Sequence, residues 1–224
     1  MKKKNNILIV AAHPDDEILG CGGTILKLKN NFNIYTLFMT DGVSSRQKNS
    51  KESKFRKNCA IKLFKKLKLE KPIFFNFPDN KMDSVPLLNI VKKIEKYLFK
   101  IKPLEVFTHF ENCLNVDHRI TFEATITACR PLAKSNVTKI LSFEIPSSTD
   151  WALYRNKNFQ PNYFINIEKQ LSKKIDALKY YKKELRNDPH SRSFNSIKAL
   201  AKYRGSNSGL KFAEAFYLNR YIDK

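Results

Sequence analysis

The run Ile7-Leu-Ile-Val-Ala-Ala-His-Pro-Asp-Asp-Glu17 joins an apolar stretch directly to residues that can nearly all do chemistry, and it constrains the chain more than any other feature. Ile7 to Ala12 has no polar member, so it reads as a strand covered on both faces, as in the middle of a parallel sheet. Pro14 then ends the ladder, because it has no N–H to donate and pushes His13 toward an extended backbone. His13, Asp15 and Asp16 are therefore expected at the carboxyl end of the strand. In open α/β sheets that edge is where ligands bind.

The chain beyond this turn alternates between strand-like and helix-like stretches. Ile18, Leu19, Ile25, Leu26 and Leu28 can line one side of a first helix, with Gly20, Gly22 and Gly23 allowing close approach to the sheet. The Gly-Cys-Gly-Gly cluster is similar in outline to a dinucleotide loop, but the acidic turn before it would repel a pyrophosphate, which argues against a nicotinamide site. A second strand is predicted over Asn33 to Thr40, followed by Asp41-Gly42 and a basic amphipathic helix from Lys51 to Leu69. A third strand spans Pro72 to Phe77, then a loop through Asp79 and Asp83 and a helix from Pro86 to Lys100. Leu104 to Phe110 reads as strand four, running into Asn115-Val-Asp-His-Arg119 and a helix that reaches Ala133. Lys139 to Ile145 and Tyr163 to Ile167 read as further strands, and Glu168 to Arg186 and Phe194 to Arg204 as helices. This alternation predicts one α/β domain over residues 1–224, a doubly wound, mainly parallel sheet of order 3-2-1-4-5 with helices on both faces.

Composition narrows the function classes. A hydrophobic share of 42% with Phe 17 and Tyr 9 suits a packed globule, and no stretch approaches the ~18 apolar residues of a membrane span. Met1-Lys-Lys-Lys-Asn-Asn runs straight into the first strand with no signal-like segment, so a cytoplasmic location is expected. Cys21, Cys59, Cys113 and Cys129 have no paired CxxC spacing, which fits reduced thiols better than a disulfide frame or a thiolate zinc site. Lys+Arg 42 against Asp+Glu 21 gives a net charge of +21. The lysines are spread through every helix-like segment instead of forming a stripe, which argues against a dedicated nucleic-acid face. The charge remains suited to a phosphate-bearing substrate.

In a sheet of that order, strands one and four are neighbours across the switch point, and their loops meet in one crevice. His13, Asp16 and His118 can converge there. Two histidines and a carboxylate, with a fourth position left to water, are the ligand set of a catalytic zinc site. A free carboxylate beside them would complete a hydrolase. Each part also has an ordinary explanation: a histidine at a strand end is commonly just polar, Asp pairs cap helices, and Asp117 fits the N-cap of a helix beginning at His118.

Ala12-His13-Pro14-Asp15-Asp16-Glu17, with Thr108-His109 and Asn115-Val-Asp117-His118-Arg119, resembles the signatures of the PIG-L/LmbE-like zinc de-N-acetylases. The likeness continues through Glu144 to Trp151, Pro189 to Ser193, Lys202 to Gly205 and Ala213 to Phe216, so it covers nearly the whole chain. It implies a Rossmann-like sheet, a divalent metal, usually Zn2+, and hydrolysis of an N-acetyl group from an amino sugar carried on a lipid, nucleotide or small glycoside. Residue by residue, His13, Asp16 and His118 match the metal ligands, Asp15 the general base, and Asp117 the carboxylate that tunes neighbouring groups. The chain departs from the pattern at Asn115, where many members have a histidine, and at Cys113, where relatives with a similar motif often carry an Asp.

An amide cannot deliver a proton, so Asn115 suits hydrogen bonding to an oxyanion, and protonation of the departing amine falls to Asp15 or to His190 if its loop closes over the site. His109 and His190 are the remaining histidines. His109 also reads as a buried core histidine; His190 lies in Asp-Pro-His-Ser-Arg, where Arg192 would suit a phosphate. The expected function is metal-dependent de-N-acetylation of a small amino-sugar substrate in glycan or glycoconjugate synthesis, with a homo-oligomer left open. The competing expectations are an amide hydrolase of the mycothiol-conjugate amidase type and a basic nucleic-acid-binding protein.

Overall fold

The computed structural model describes residues 4–45, 50–132, 135–153 and 157–223. Strand β1 (Asn5–Ala11) lies inside the sheet, hydrogen-bonded to β2 (Phe32–Phe38) on one side and β4 (Glu105–His109) on the other, both parallel. Its side chains alternate between two cores: Ile7, Ile9 and Ala11 join one cluster, and Leu8 and Val10 the other. That is the period-two pattern of a strand buried on both faces. The first cluster packs under α1 (Asp16–Leu28), α2 (Ser50–Leu67), α5 (Leu171–Leu178) and α6 (Phe194–Ser206). The second packs under α3 (Leu87–Ile101) and α4 (Val116–Ala128), with Ile90, Val91 and Ile94 of α3 fully covered.

The sheet has seven strands in the order β3-β2-β1-β4-β5-β7-β6. Its first five, completed by β3 (Ile73–Phe74) and β5 (Lys139–Phe143), are parallel and follow the predicted 3-2-1-4-5 order. The sheet then extends by two antiparallel strands, β7 (Ala213–Tyr221) and the edge strand β6 (Tyr163–Asn166). Strand β7 is absent from the sequence reading because its buried face carries Glu214, which breaks the apolar alternation that marks a strand. The helix expected over Glu168 to Arg186 also differs: α5 ends at Leu178, and a 3-10 stretch, Lys179–Glu184, follows with a non-helical Tyr181. The expected helix end at Ala133 lies outside the described residues.

Helix α1 kinks at Cys21, where φ is −141° and ψ 24°. The kink frees two backbone N–H groups, and Glu214 takes them: its carboxylate accepts from Gly23 N at 2.8 Å, Thr24 N at 2.7 Å and Lys174 Nζ at 2.7 Å. Gly20 and Gly23 allow the close approach expected of them, since a Cβ at either would lie 2.4 Å from Phe143 or 2.7 Å from Ile167. Among the described residues no helix is long and apolar enough to cross a membrane.

Candidate active site

The loops after β1, β3, β4 and β5 leave the sheet at its carboxyl edge and line a pocket of about 520 Å³ together with Arg186, His190 and Arg192. His13 and His118 stand in its wall. His13 Nδ1 is 3.2 Å from Asp16 Oδ2 and 3.2 Å from His118 Nε2, and His118 Nε2 is 3.4 Å from Asp16 Oδ2. Ligand atoms about 2.0–2.1 Å from a tetrahedral centre are separated by roughly 3.4 Å. Asp16 Oδ1 is buried with no hydrogen-bond partner. Both observations fit a divalent cation, with one position left open by this three-residue set.

Neighbouring groups turn the two histidines the right way for it. Asp117 Oδ2 lies 3.1 Å from His13 Nε2 and Asp79 Oδ1 3.4 Å, so the ring proton faces these carboxylates and the Nδ1 lone pair faces the cluster. Asp117 is itself fixed by the backbone N–H groups of Asn80 at 2.7 Å and Met82 at 3.1 Å; Asp79 is fixed by Ser45 N–H at 3.0 Å. Burial pushes the His13 imidazole down, but its hydrogen bonds to Asp117, Asp16 and Asp79 prevail and hold its pKa well above the usual value. Burial pushes Asp79 up, and the bond to His13 overcomes it and holds the carboxyl below its usual range. At His118, burial is outweighed by Asp16 and Cys113, and the ring is raised to about 9. Its Nδ1 meets Cys113 Sγ at 3.0 Å. Burial raises the Cys113 thiol, but His118 and the hydroxyls of Ser148 and Thr149 bring it below the ordinary thiol value.

Asp15 sits beside this cluster and is buried. Arg56 Nη2 donates to its Oδ1 at 2.6 Å, and Arg192 Nη1 to its Oδ2 at 3.1 Å. Burial raises the Asp15 pKa, and the two guanidinium charges only partly oppose it. Arg56 threads past Gly42, where a Cβ would lie 2.5 Å from its Nη1, and also donates to the carbonyls of Pro14 and Gly42.

The structure places the other sequence candidates in different settings. Asn115, not Asp117, is the N-cap of α4: its Oδ1 accepts from Asp117 N at 2.8 Å and His118 N at 3.3 Å, because the helix starts at Val116. One of its amide hydrogens goes to Asn80 Oδ1, and the residue lines the pocket. His190 lines the pocket too; its Nδ1 accepts the Arg192 backbone N–H at 3.0 Å, and Trp151 packs edge-on against its ring. His109 is fully buried behind the site, stacked on His118 with ring centres 4.0 Å apart. Its Nε2 accepts the Ala12 N–H at 2.9 Å, so that nitrogen has no proton for Asp16, 3.4 Å away. Burial and the His118 charge hold its pKa well below the usual value.

Sequence reasoning missed Asp79, Arg56, Glu17, Tyr181 and Glu184. Asp79 had a signal, since it closes the loop at the carboxyl end of β3. Arg56 was hidden among the lysines of a basic helix, and Tyr181 and Glu184 in a Lys-rich segment carry no local mark at all. Residues 46–49 and 154–156, in the loops after β2 and β5, lie outside the described residues.

The PIG-L family, described as GlcNAc-PI de-N-acetylase, matches residues 8–129, more than half of the chain. An uncharacterized deacetylase, YaiS of Escherichia coli, is 28% identical over 193 residues, covering 80% of this chain and 92% of its own. The fold is shared with N,N'-diacetylchitobiose deacetylase from Pyrococcus horikoshii at a TM-score of 0.77 and 21% identity, over 96% of this chain and 84% of that one. It is shared as well with GalB, the 4-carboxy-2-hydroxymuconate hydratase from Pseudomonas putida, at 0.75 and 18%, over 98% of each chain. The second likeness shows that this fold also carries chemistry other than deacetylation.

Proposed function

Because the chain belongs to the PIG-L family and is a deacetylase of that family, we propose that it is a divalent-metal hydrolase, with zinc as the native ion, that removes the N-acetyl group of an amino sugar. The observation that carries this reading is the convergence of His13 Nδ1, Asp16 Oδ2 and His118 Nε2 beside a buried, separately held Asp15. His13, Asp16 and His118 would hold the ion. A zinc ion in such an open site polarises the amide carbonyl and lowers the pKa of water.

The rest of the reaction falls to the chain's own groups. Asp15, whose raised pKa brings it closer to the working range of a general base, takes the proton from the attacking water. Asp117 and Asp79 keep His13 in the tautomer that offers Nδ1. The remaining N–H of Asn115 suits the oxyanion of the tetrahedral intermediate. His190 lines the pocket with its Nδ1 taken up by the Arg192 N–H, so Nε2 is the atom through which it would protonate the departing amine. The substrate is a small amino sugar, and the fold shared with a chitobiose deacetylase supports that class. A phosphate on it would meet Arg186, which lines the pocket and donates to the carbonyls of Lys183 and Leu185.

Two measurements test the proposal together. A mass-spectrometric screen of N-acetylated sugars, free and nucleotide-linked, should return a product lighter by one acetyl group. Metal analysis should find one zinc per chain, lost together with activity in His13→Ala and His118→Ala. Full activity in metal-free His118→Ala protein would sink the reading.

A further inference from the structure

Asp15 has two unusual features. Its φ of 132° lies in a region that side-chain-bearing residues rarely adopt, and its side chain gives α1 no cap hydrogen bond. Such a conformation persists only where the surroundings over-determine it. Its backbone N–H donates to Glu17 Oε2 at 2.9 Å, and the other oxygen of Glu17 accepts the hydroxyl of Tyr181 at 2.7 Å. Its carboxylate is held by Arg56, whose Nη1 lies 3.5 Å from Glu184 Oε1. Glu17, Tyr181, Arg56 and Glu184 are all buried.

Tyr181 and Glu184 thus reach the same residue by two routes, one ending on its backbone and one on its side chain. Both come from the 3-10 stretch Lys179–Glu184, and the break in that stretch falls at Tyr181 itself, with φ −103° and ψ 33°. Glu17 has both oxygens engaged on this path, which explains why the last acid of the His-Pro-Asp-Asp-Glu run stands outside the cation cluster.

We propose that Tyr181, through Glu17, and Glu184, through Arg56, are positioning residues that hold Asp15 in the orientation its role as base requires. The proposal rests on that role. Neither residue belongs to the cation cluster, and Glu184 reaches the pocket wall beside Arg56. Removing the Tyr181 hydroxyl leaves Glu17 Oε1 without this donor, lets the Glu17 carboxylate turn, and releases the Asp15 amide. Removing the Glu184 charge loosens Arg56 and with it Asp15 Oδ1.

The test is a double-mutant cycle on the zinc-loaded full chain, with 4-nitrophenyl acetate as the acetyl probe. Tyr181→Phe and Glu184→Gln should each lower kcat at least tenfold with KM and zinc content unchanged, and in an Asp15→Asn background should cost less than twofold. An equal loss in both backgrounds would mean ordinary packing and would overturn the proposal. Amide exchange in the 15N-labelled chain gives a second readout that needs no substrate. Tyr181→Phe should quicken exchange of the Asp15 N–H at least tenfold relative to that of Val10, and unchanged exchange overturns the proposal as well. If Asp15→Asn alone hydrolyses the probe at full rate, the base assignment fails, and the amide exchange still decides whether the brace exists.

Discussion

The two halves of this molecule contribute to one site in different ways. Residues 8–129, the part matched to the family, supply the atoms that converge: His13, Asp16, Asp79, Asp117 and His118. The later part supplies the residues that grip from outside, namely Lys174, Tyr181, Glu184, Arg192 and Glu214. The contacts differ in reach. His13 and Asp16 meet within one turn of chain, whereas Tyr181 meets Glu17 across 164 residues and Glu214 meets Thr24 across 190. A short spacing is fixed by local backbone geometry once the strand ends at Pro14, but a distant pairing exists only when the whole sheet is assembled. The acidic turn of the site is therefore encoded locally, whereas His118, which meets His13 across 105 residues, and the outer braces are placed by the fold.

The sharpest way to break this comparison is at Glu214, the farthest brace. It is buried, compensates the ammonium of Lys174 and replaces the hydrogen bonds lost at the α1 kink. Glu214→Gln keeps the shape but leaves the Lys174 charge uncompensated. Breaking a buried pair from one side costs about 3–5 kcal/mol. Urea unfolding should show that loss as a lower midpoint at unchanged slope. A midpoint within error of the unmodified protein would mean that β7 does not brace α1.

The same division decides what the sequence made readable. The order of the five parallel strands was legible because β1 is apolar without interruption and strands alternate with helices, and β7 was not because Glu214 interrupts its buried face. The positions of His13, Asp16 and His118 followed from strand ends one and four being neighbours at the switch point. The cap of α4 was assigned two residues too late in the ordinary reading, since Asp117 and Asn115 are both good caps and only the helix start at Val116 separates them. Arg56 and Tyr181 were invisible. Nothing in a Lys-rich amphipathic helix distinguishes the one cation that points inward, and nothing near Tyr181 announces a partner in the first turn of α1.

A smaller effect is expected at His190, which the later half contributes to the pocket itself. If it protonates the leaving amine, His190→Gln should lower kcat by about 10²-fold, within the range of general acid catalysis, with zinc content unchanged. Its ring contacts are the Arg192 N–H and the edge of Trp151, so the fold should tolerate the change. A loss below about tenfold would move His190 from proton transfer to substrate contact, and the later half would then supply rigidity but no chemistry.

The smallest effect tests whether the first half is self-sufficient, at Cys113. Its sulfur lies 3.0 Å from His118 Nδ1 and stands where a carboxylate would otherwise orient a metal-binding histidine. Losing such a partner typically costs about 10–100-fold in metal affinity. Cys113→Ala should fall toward the lower end of that range, because Ser148 from the loop after β5 already lies 3.5 Å from the same nitrogen and can take over part of the hydrogen bond. Cys113→Asp should keep or improve affinity, since a carboxylate accepts the ring N–H better than a thiol. Competition with a chromogenic chelator reads both variants. If Cys113→Ala binds zinc as tightly as the unmodified chain, the sulfur only fills space, and Ser148 becomes the group that orients His118; a further loss in the Cys113→Ala, Ser148→Ala double variant would then locate that orientation in the later half of the chain.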